Sequence, residues 1–175
     1  MADKYLILDS SGVAYREVEA TVQSRGTQDA GEILALDSSG KIDPSVLPTG
    51  VGADILVAPA SEVLAAGDWL NAWNDAGTVK FRKADASSGI GKRATHFTLG
   101  ATAAGQNASG YPIGSGTNTA LSGLTPTAAY FLSNTVPGGV QPSLVTTSGH
   151  LNQFLGFARS ATALESRQGY VVVRA

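Results

Sequence analysis

The sequence predicts an all-β protein: a small β-sandwich or barrel preceded by an extended N-terminal arm with short strands. Three observations carry this reading. Short apolar or alternating runs recur along the chain, separated by clusters of Gly, Pro, Asp and Ser, the pattern of sandwiches and small barrels. No stretch sustains helical i, i+3, i+4 apolar spacing. Only 15% of the 175 residues are charged while 43% are hydrophobic and 21 are glycine. That charge content is well under the roughly 25% of an average domain and suits tightly turning strands whose surface lies against partners. It does not suit a disordered chain, which combines low hydrophobicity with high net charge.

Residues 1–50 form the expected arm. Tyr5-Leu6-Ile7-Leu8 is a short apolar run closed by Asp9-Ser10-Ser11-Gly12, and Val13 to Ala20 alternates with period two, as a half-buried strand does. A polar stretch from Gln23 to Gly31 follows. Ile33 to Leu36 then runs into Asp37-Ser38-Ser39-Gly40, repeating Leu-Asp-Ser-Ser-Gly and suggesting a second strand-turn unit. The turn chemistry is intelligible, because Asp bonds backbone two residues on and Gly accepts positive φ. Pro44 and Pro48 bracket Val46 and Leu47 and argue against a central strand, and Thr49 to Gly52 is a linker. The arm has strand signals but too few large apolar residues for a core, so its hydrogen bonds are expected to be completed on another surface. The candidate contacts with a partner surface or a sister subunit are Tyr5, Leu6, Leu8, Ile42, Val46 and Leu47.

Residues 51–175 form the expected sandwich or barrel domain. Strands are predicted over Asp54–Ala58 and Glu62–Ala65. Trp69–Asn74 and Thr78–Lys83 should pair as a hairpin across Asp75-Ala76-Gly77. Thr95–Leu99 is a further strand, with a small-residue loop from it to Gly110. Tyr111–Ile113 and Ala128–Ser133 follow, then a turn over Val136–Val140. Leu151–Ala158 has apolar spacing that also fits a short helix, but Gly156 and its β neighbours favour a strand. Tyr170–Arg174 is the last.

The chemistry-bearing residues are sparse. Net charge is −2 and the one basic cluster, Lys80, Arg82 and Lys83 with Lys92 and Arg93 nearby, reads as a solvated strand face and not a nucleic-acid footprint. No cysteine is present and the two histidines, His96 and His150, are far apart, so no zinc pattern appears. Neither has a G-x-S-x-G elbow for company. Gly89 to Arg93 looks faintly like a phosphate loop but lacks its first Gly, and Arg93 stands where Ser or Thr is needed. Asp37, Asp43, Asp54, Glu62 and Asp68 sit mostly at turns. Trp69 and Trp73 share one strand face, which suits a core or subunit interface better than a sugar platform. No run approaches a membrane span or a signal peptide, and Asn107-Ala108-Ser109 is read as a chance sequon. The expectation is a soluble, non-secreted protein that is not an enzyme, with no cofactor, metal, small-molecule substrate, nucleic acid or membrane partner.

A longer series then stands out: residues 64–77 (LAAGDWLNAWNDAG), 79–86 (VKFRKADA), 116–126 (GTNTALSGLTP), 130–133 (YFLS), 137–140 (PGGV) and 153–158 (QFLGFA). It resembles a β-domain of tailed-bacteriophage structural proteins that decorate heads or form parts of fibres. Residues 39–48 (SGKIDPSVLP) resemble the element preceding the globular part of head- and tail-fibre proteins. Together the likeness covers about residues 36–160, and Thr95-His96-Phe97-Thr98 departs from it in being more polar than the aliphatic strand expected there. The resemblance implies a virion protein on the capsid surface, assembled in the host cytoplasm, usually a homotrimer, with the major capsid protein as partner and no catalytic residue. It leads to a capsid decoration protein, favoured by the short chain. The alternative is a tail- or head-fibre element whose loops, such as Ala101–Gly110, touch host glycans.

Overall fold

The structure is a computed structural model that describes residues 4–8, 10–23, 26–38, 40–43, 46 and 55–175. The chain divides into two compact units, Met1–Gly52 and Ala53–Ala175. It is all-β, with an N-terminal strand region and a curled sheet in the second unit.

In the first unit β1 (Lys4–Leu8) pairs antiparallel with β2 (Tyr15–Glu19), Lys4 opposite Glu19 and Leu8 opposite Tyr15. Lys4 Nζ lies 3.0 Å from Glu17 Oε2. The predicted half-buried strand is shorter than Val13–Ala20 and mostly exposed, because its polar positions are charged and only Val18 is partly covered. The second strand-turn unit is corrected to a single bridge, Thr21 with Leu34. The apolar run ends at once in the Asp37 turn, where Asp37 Oδ1 accepts from the Lys41 amide (2.9 Å) and Asp37 O from Gly40 (2.9 Å). Gly12 and Gly40, the matching glycines of the repeated motif, have φ of +73° and +72°, as the turn chemistry required. A short 3-10 turn spans Gly26–Asp29.

In the second unit a five-stranded sheet holds β3 (Leu56–Pro59), β4 (Trp69–Asp75), β5 (Thr78–Lys83), β6 (His96–Phe97) and β7 (Asn107–Pro112), in the order β3-β7-β6-β4-β5. The predicted hairpin forms: Asp75 faces Thr78, leaving Ala76-Gly77 at φ of +49° and +92°, a two-residue turn whose twist matches the strands. The Gly77 amide donates to Asn74 Oδ1 at 2.7 Å. The sheet curls until its edges meet, with Ala60 bridging Phe81 and the Ser61 amide and hydroxyl both donating to Phe81 O (2.8 and 2.9 Å). Leu64, Leu70 and Phe81, with Ala58, Ala60 and Ala108, fill the curl. Gly110 is required there, because a Cβ would lie 2.3 Å from Phe81 Cζ.

The six-stranded sheet holds β8 (Thr117–Asn118), β9 (Ala129–Leu132), β10 (Val140–Gln141), β11 (Leu151–Ala158), β12 (Leu164–Ser166) and β13 (Val171–Val173). Its order is β10-β9-β11-β12-β8, with β13 also on β11. A larger core joins the two sheets: Trp69 and Phe97 from one, Leu132, Leu151, Leu155 and Leu164 from the other.

Several expectations need correction. Glu62–Ala65 is a single bridge, Leu64 with Thr102, and the strand over Thr95–Leu99 shrinks to two residues. The loop before Gly110 ends early, because β7 starts at Asn107. The polar departure at 95–98 is nevertheless buried at Phe97 and Thr98. Its hydroxyls are satisfied locally: Thr98 Oγ1 donates to Gly100 O (3.0 Å) and Thr95 Oγ1 accepts from the Ala72 amide (2.9 Å). Residues 86–92 form irregular 3-10 turns (Ala86–Lys92), where no helical signal was read.

Strand β11 covers the predicted Leu151–Ala158 and carries a bulge. Phe154 faces Phe131 and Gly156 faces Tyr130, so Leu155 and Gly156 together oppose one residue. Gly156 has φ of +150°, and a Cβ there would sit 1.9 Å from Glu165 O. Gly156→Ala should therefore cost about 3 kcal/mol by forcing β11 from β12. Gly116→Ala, which meets nothing within 4 Å, should change stability by less than about 0.5 kcal/mol. Urea unfolding of both variants checks the contrast.

Candidate functional site

The contact residues predicted in the first unit are placed as follows. Leu6 and Leu8 project from one face of the hairpin beside Tyr15, at 64% and 52% exposure. Tyr5 lies on the opposite face, half-buried, and its hydroxyl accepts from the Ile33 amide at 3.3 Å. Ile42 is 48% exposed, Val46 is half-buried and donates its amide to Asp43 O at 3.2 Å, and Leu47 lies outside the described residues. Among the described residues of this unit none is buried. Val13, Ile33, Leu34 and Leu36 are exposed as well, so this unit displays most of its large apolar side chains.

The polar features of the second unit are engaged internally. Lys80 pairs with Asp75 at 2.6 Å and Lys83 with Asp68 at 3.3 Å. Arg82 bonds Asn71 Oδ1 (2.9 Å) and Gly91 O (2.8 Å) and covers the Trp73 ring at 4.7 Å, a cation–π contact that closes this face of the indole. Trp69 is fully buried against Phe97, so the tryptophan pair is core and cover. Partial burial pushes the Asp85 carboxyl up, but bonds from the Ser87 hydroxyl and amide and from Ser88, with Lys92 nearby, outweigh it and leave it below the ordinary carboxylate range. Asp85 caps the turn that follows. Among the described residues no cluster of three or more His, Cys, Asp or Glu could hold a metal ion.

A second surface was not anticipated. Phe131, Phe154 and Phe157 line up on the outer face of the six-stranded sheet, with ring centroids 5.8 Å apart for the first pair and 5.1 Å for the second, both edge-to-face. Phe154 and Phe157 are three residues apart and would point to opposite faces of a regular strand. The bulge at Leu155-Gly156 returns Phe157 to the side of Phe154. A groove of about 370 Å³ adjoins the rings, lined by Phe131, Leu144, Asn152, Phe154, Tyr170 and Val172. Asn152 bonds Val145 twice, accepting from its amide (2.6 Å) and donating to its carbonyl (2.9 Å). Beside Phe157, Glu165 is held between Arg159 (2.8 Å) and Arg167 (2.7 Å). The Arg159 hydrogen bond and both guanidinium charges keep its carboxyl below the ordinary range.

Comparison with family models, curated proteins and solved structures found no match for this chain. The arrangement itself contains two apolar surfaces, one on each unit.

His96 is a structural histidine. Its Nδ1 lies 2.9 Å from Thr95 Oγ1, its ring stands edge-on to Phe81 at 5.2 Å, and burial holds its pKa below the ordinary value. The unfolded chain therefore binds a proton more readily than the folded one. The stability linked to His96 is complete above the unfolded pKa of about 6.5 and is lost as pH falls below it. Urea midpoints should drop between about pH 7 and pH 5, and His96→Gln should flatten that slope.

Proposed function

We propose that this chain is a non-enzymatic structural virion protein that binds the outside of a tailed-phage capsid and stabilises it, acting as a homotrimer. The observation that carries the reading is the first unit: paired strands and large apolar side chains, with no buried residue among those described. A lone two-stranded hairpin is marginal in water, and a partner surface that covers Leu6, Leu8 and Tyr15 supplies the burial it lacks. The major capsid protein is the partner to which the sequence resemblance leads. Binding to the assembled shell alone stabilises it by mass action, and many copies add their effects.

The fibre reading has less behind it. It places glycan contact on loops such as Ala101–Gly110, and that loop is cut short because β7 begins at Asn107.

The test is co-sedimentation of the purified chain with undecorated capsids, together with capsid melting. The chain should pellet with the shells and raise their melting temperature. Leu6→Asp with Leu8→Asp, at exposed positions, should weaken binding at least tenfold, about 1.4 kcal/mol, without altering the fold seen by circular dichroism. Absence of binding by the unaltered chain sinks the proposal.

A further inference from the structure

We propose that the aromatic face of the six-stranded sheet is the surface on which a second copy of this chain docks. This inference rests on the self-association in the proposed reading, to which it assigns a surface, and not on the capsid contact, which involves the first unit.

The first argument is exposure. Phe157, Leu144 and Val172 are each about half exposed and Tyr170 is 92% exposed. Leu144, Tyr170 and Val172 line the groove with Phe131 and Phe154, and Phe157 continues the face beside Phe154. Single exposed apolar residues need no explanation, but a contiguous patch of this kind marks an interaction surface. The exposed parts of Tyr170, Phe157, Leu144 and Val172 supply part of the about 800 Å² per partner that a standard interface covers.

The second argument is chemical. The groove residues carry no charge, and the amide of Asn152 bonds Val145 twice. Gln141, also on this side of the sheet, accepts from the Asn134 amide and donates to Ser143 O. A sugar or a nucleic acid finds few hydrogen-bonding groups here, whereas a dry apolar protein surface fits.

The third argument selects the copy. A surface that meets its own kind must not confront like charges. Here the centre is uncharged and the rim carries both signs, with Glu165 between Arg159 and Arg167, so acid and base can exchange partners across the contact. Net charge of −2 leaves little self-repulsion. Edge-to-edge pairing is not the route, because the edge strands β8, β10 and β13 have only two, two and three residues. Association of this sheet therefore goes through its face.

Sedimentation velocity on the full chain at micromolar concentration tests the proposal. The unaltered chain should associate, and Tyr170→Asp with Val172→Asp should lower the association constant at least about tenfold. Val63→Asp, at an exposed apolar position away from this sheet, should associate normally. Tyr170→Ser alone, at a side chain with little cover to lose, should shift association in the same direction if the double variant is unstable. A chain that stays monomeric overturns the proposal, as does association unchanged by these variants. A monomeric chain whose capsid binding is lost in the double variant assigns the face to the capsid and also overturns it.

Discussion

One extra residue in β11 decides which side chains face the core and which face outward. Ahead of the bulge, Leu151, Gln153 and Leu155 point inward and Phe154 outward. Beyond it, Ala158 is buried and Phe157 stands beside Phe154. The bulge exists because Gly156 lets the backbone come against Glu165 O, closer than any Cβ allows. A regular strand would turn Phe157 into the core and Ala158 out of it. The larger core and the aromatic face therefore share one cause, and they stand or fall together.

The curled sheet depends on a similar close approach. Phe81 occupies the space over Gly110, and its carbonyl receives both donors of Ser61 from the far edge. The ring fills the interior while the backbone behind it fastens the two ends of the sheet. Polar residues needed at the seams are satisfied nearby: Gln153 accepts from the Ala94 amide and donates to its carbonyl (2.8 and 2.7 Å), and the Asn118 amide donates to Gly67 O (2.9 Å). Such pairing lets polar groups lie buried without the usual penalty. Trp69 Nε1 and Trp73 Nε1 are the exceptions among the described residues, buried donors with no acceptor.

What could be read from the sequence was local. The Ala76-Gly77 hairpin, the strand at Leu151–Ala158 and the Asp37 turn each follow from a few adjacent residues. The Ile33–Leu36 and Glu62–Ala65 runs look like strands, yet each makes one bridge, because pairing needs a partner that adjacent residues do not specify. Strands β8 and β12 are only two and three residues long, and they form through pairing of β12 with β11 on one side and β8 on the other. The N-terminal contact candidates were legible as apolar residues lacking a core. The aromatic face was not, since Phe154 and Phe157 at odd spacing belong on opposite sides until the bulge is known. Gly156 was visible as a reason to reject a helix, but its role in redirecting a strand depends on Glu165, nine residues away on β12.

The blunt margins of the second unit carry a consequence for crowding. Its five-stranded sheet ends on itself, and the edge strands of the other sheet offer only two or three residues apiece. Such a sheet has no rail along which further chains could add indefinitely, so dense accumulation need not lead to fibrils. Contact through a face can instead stop at a finite number of copies when the symmetry closes.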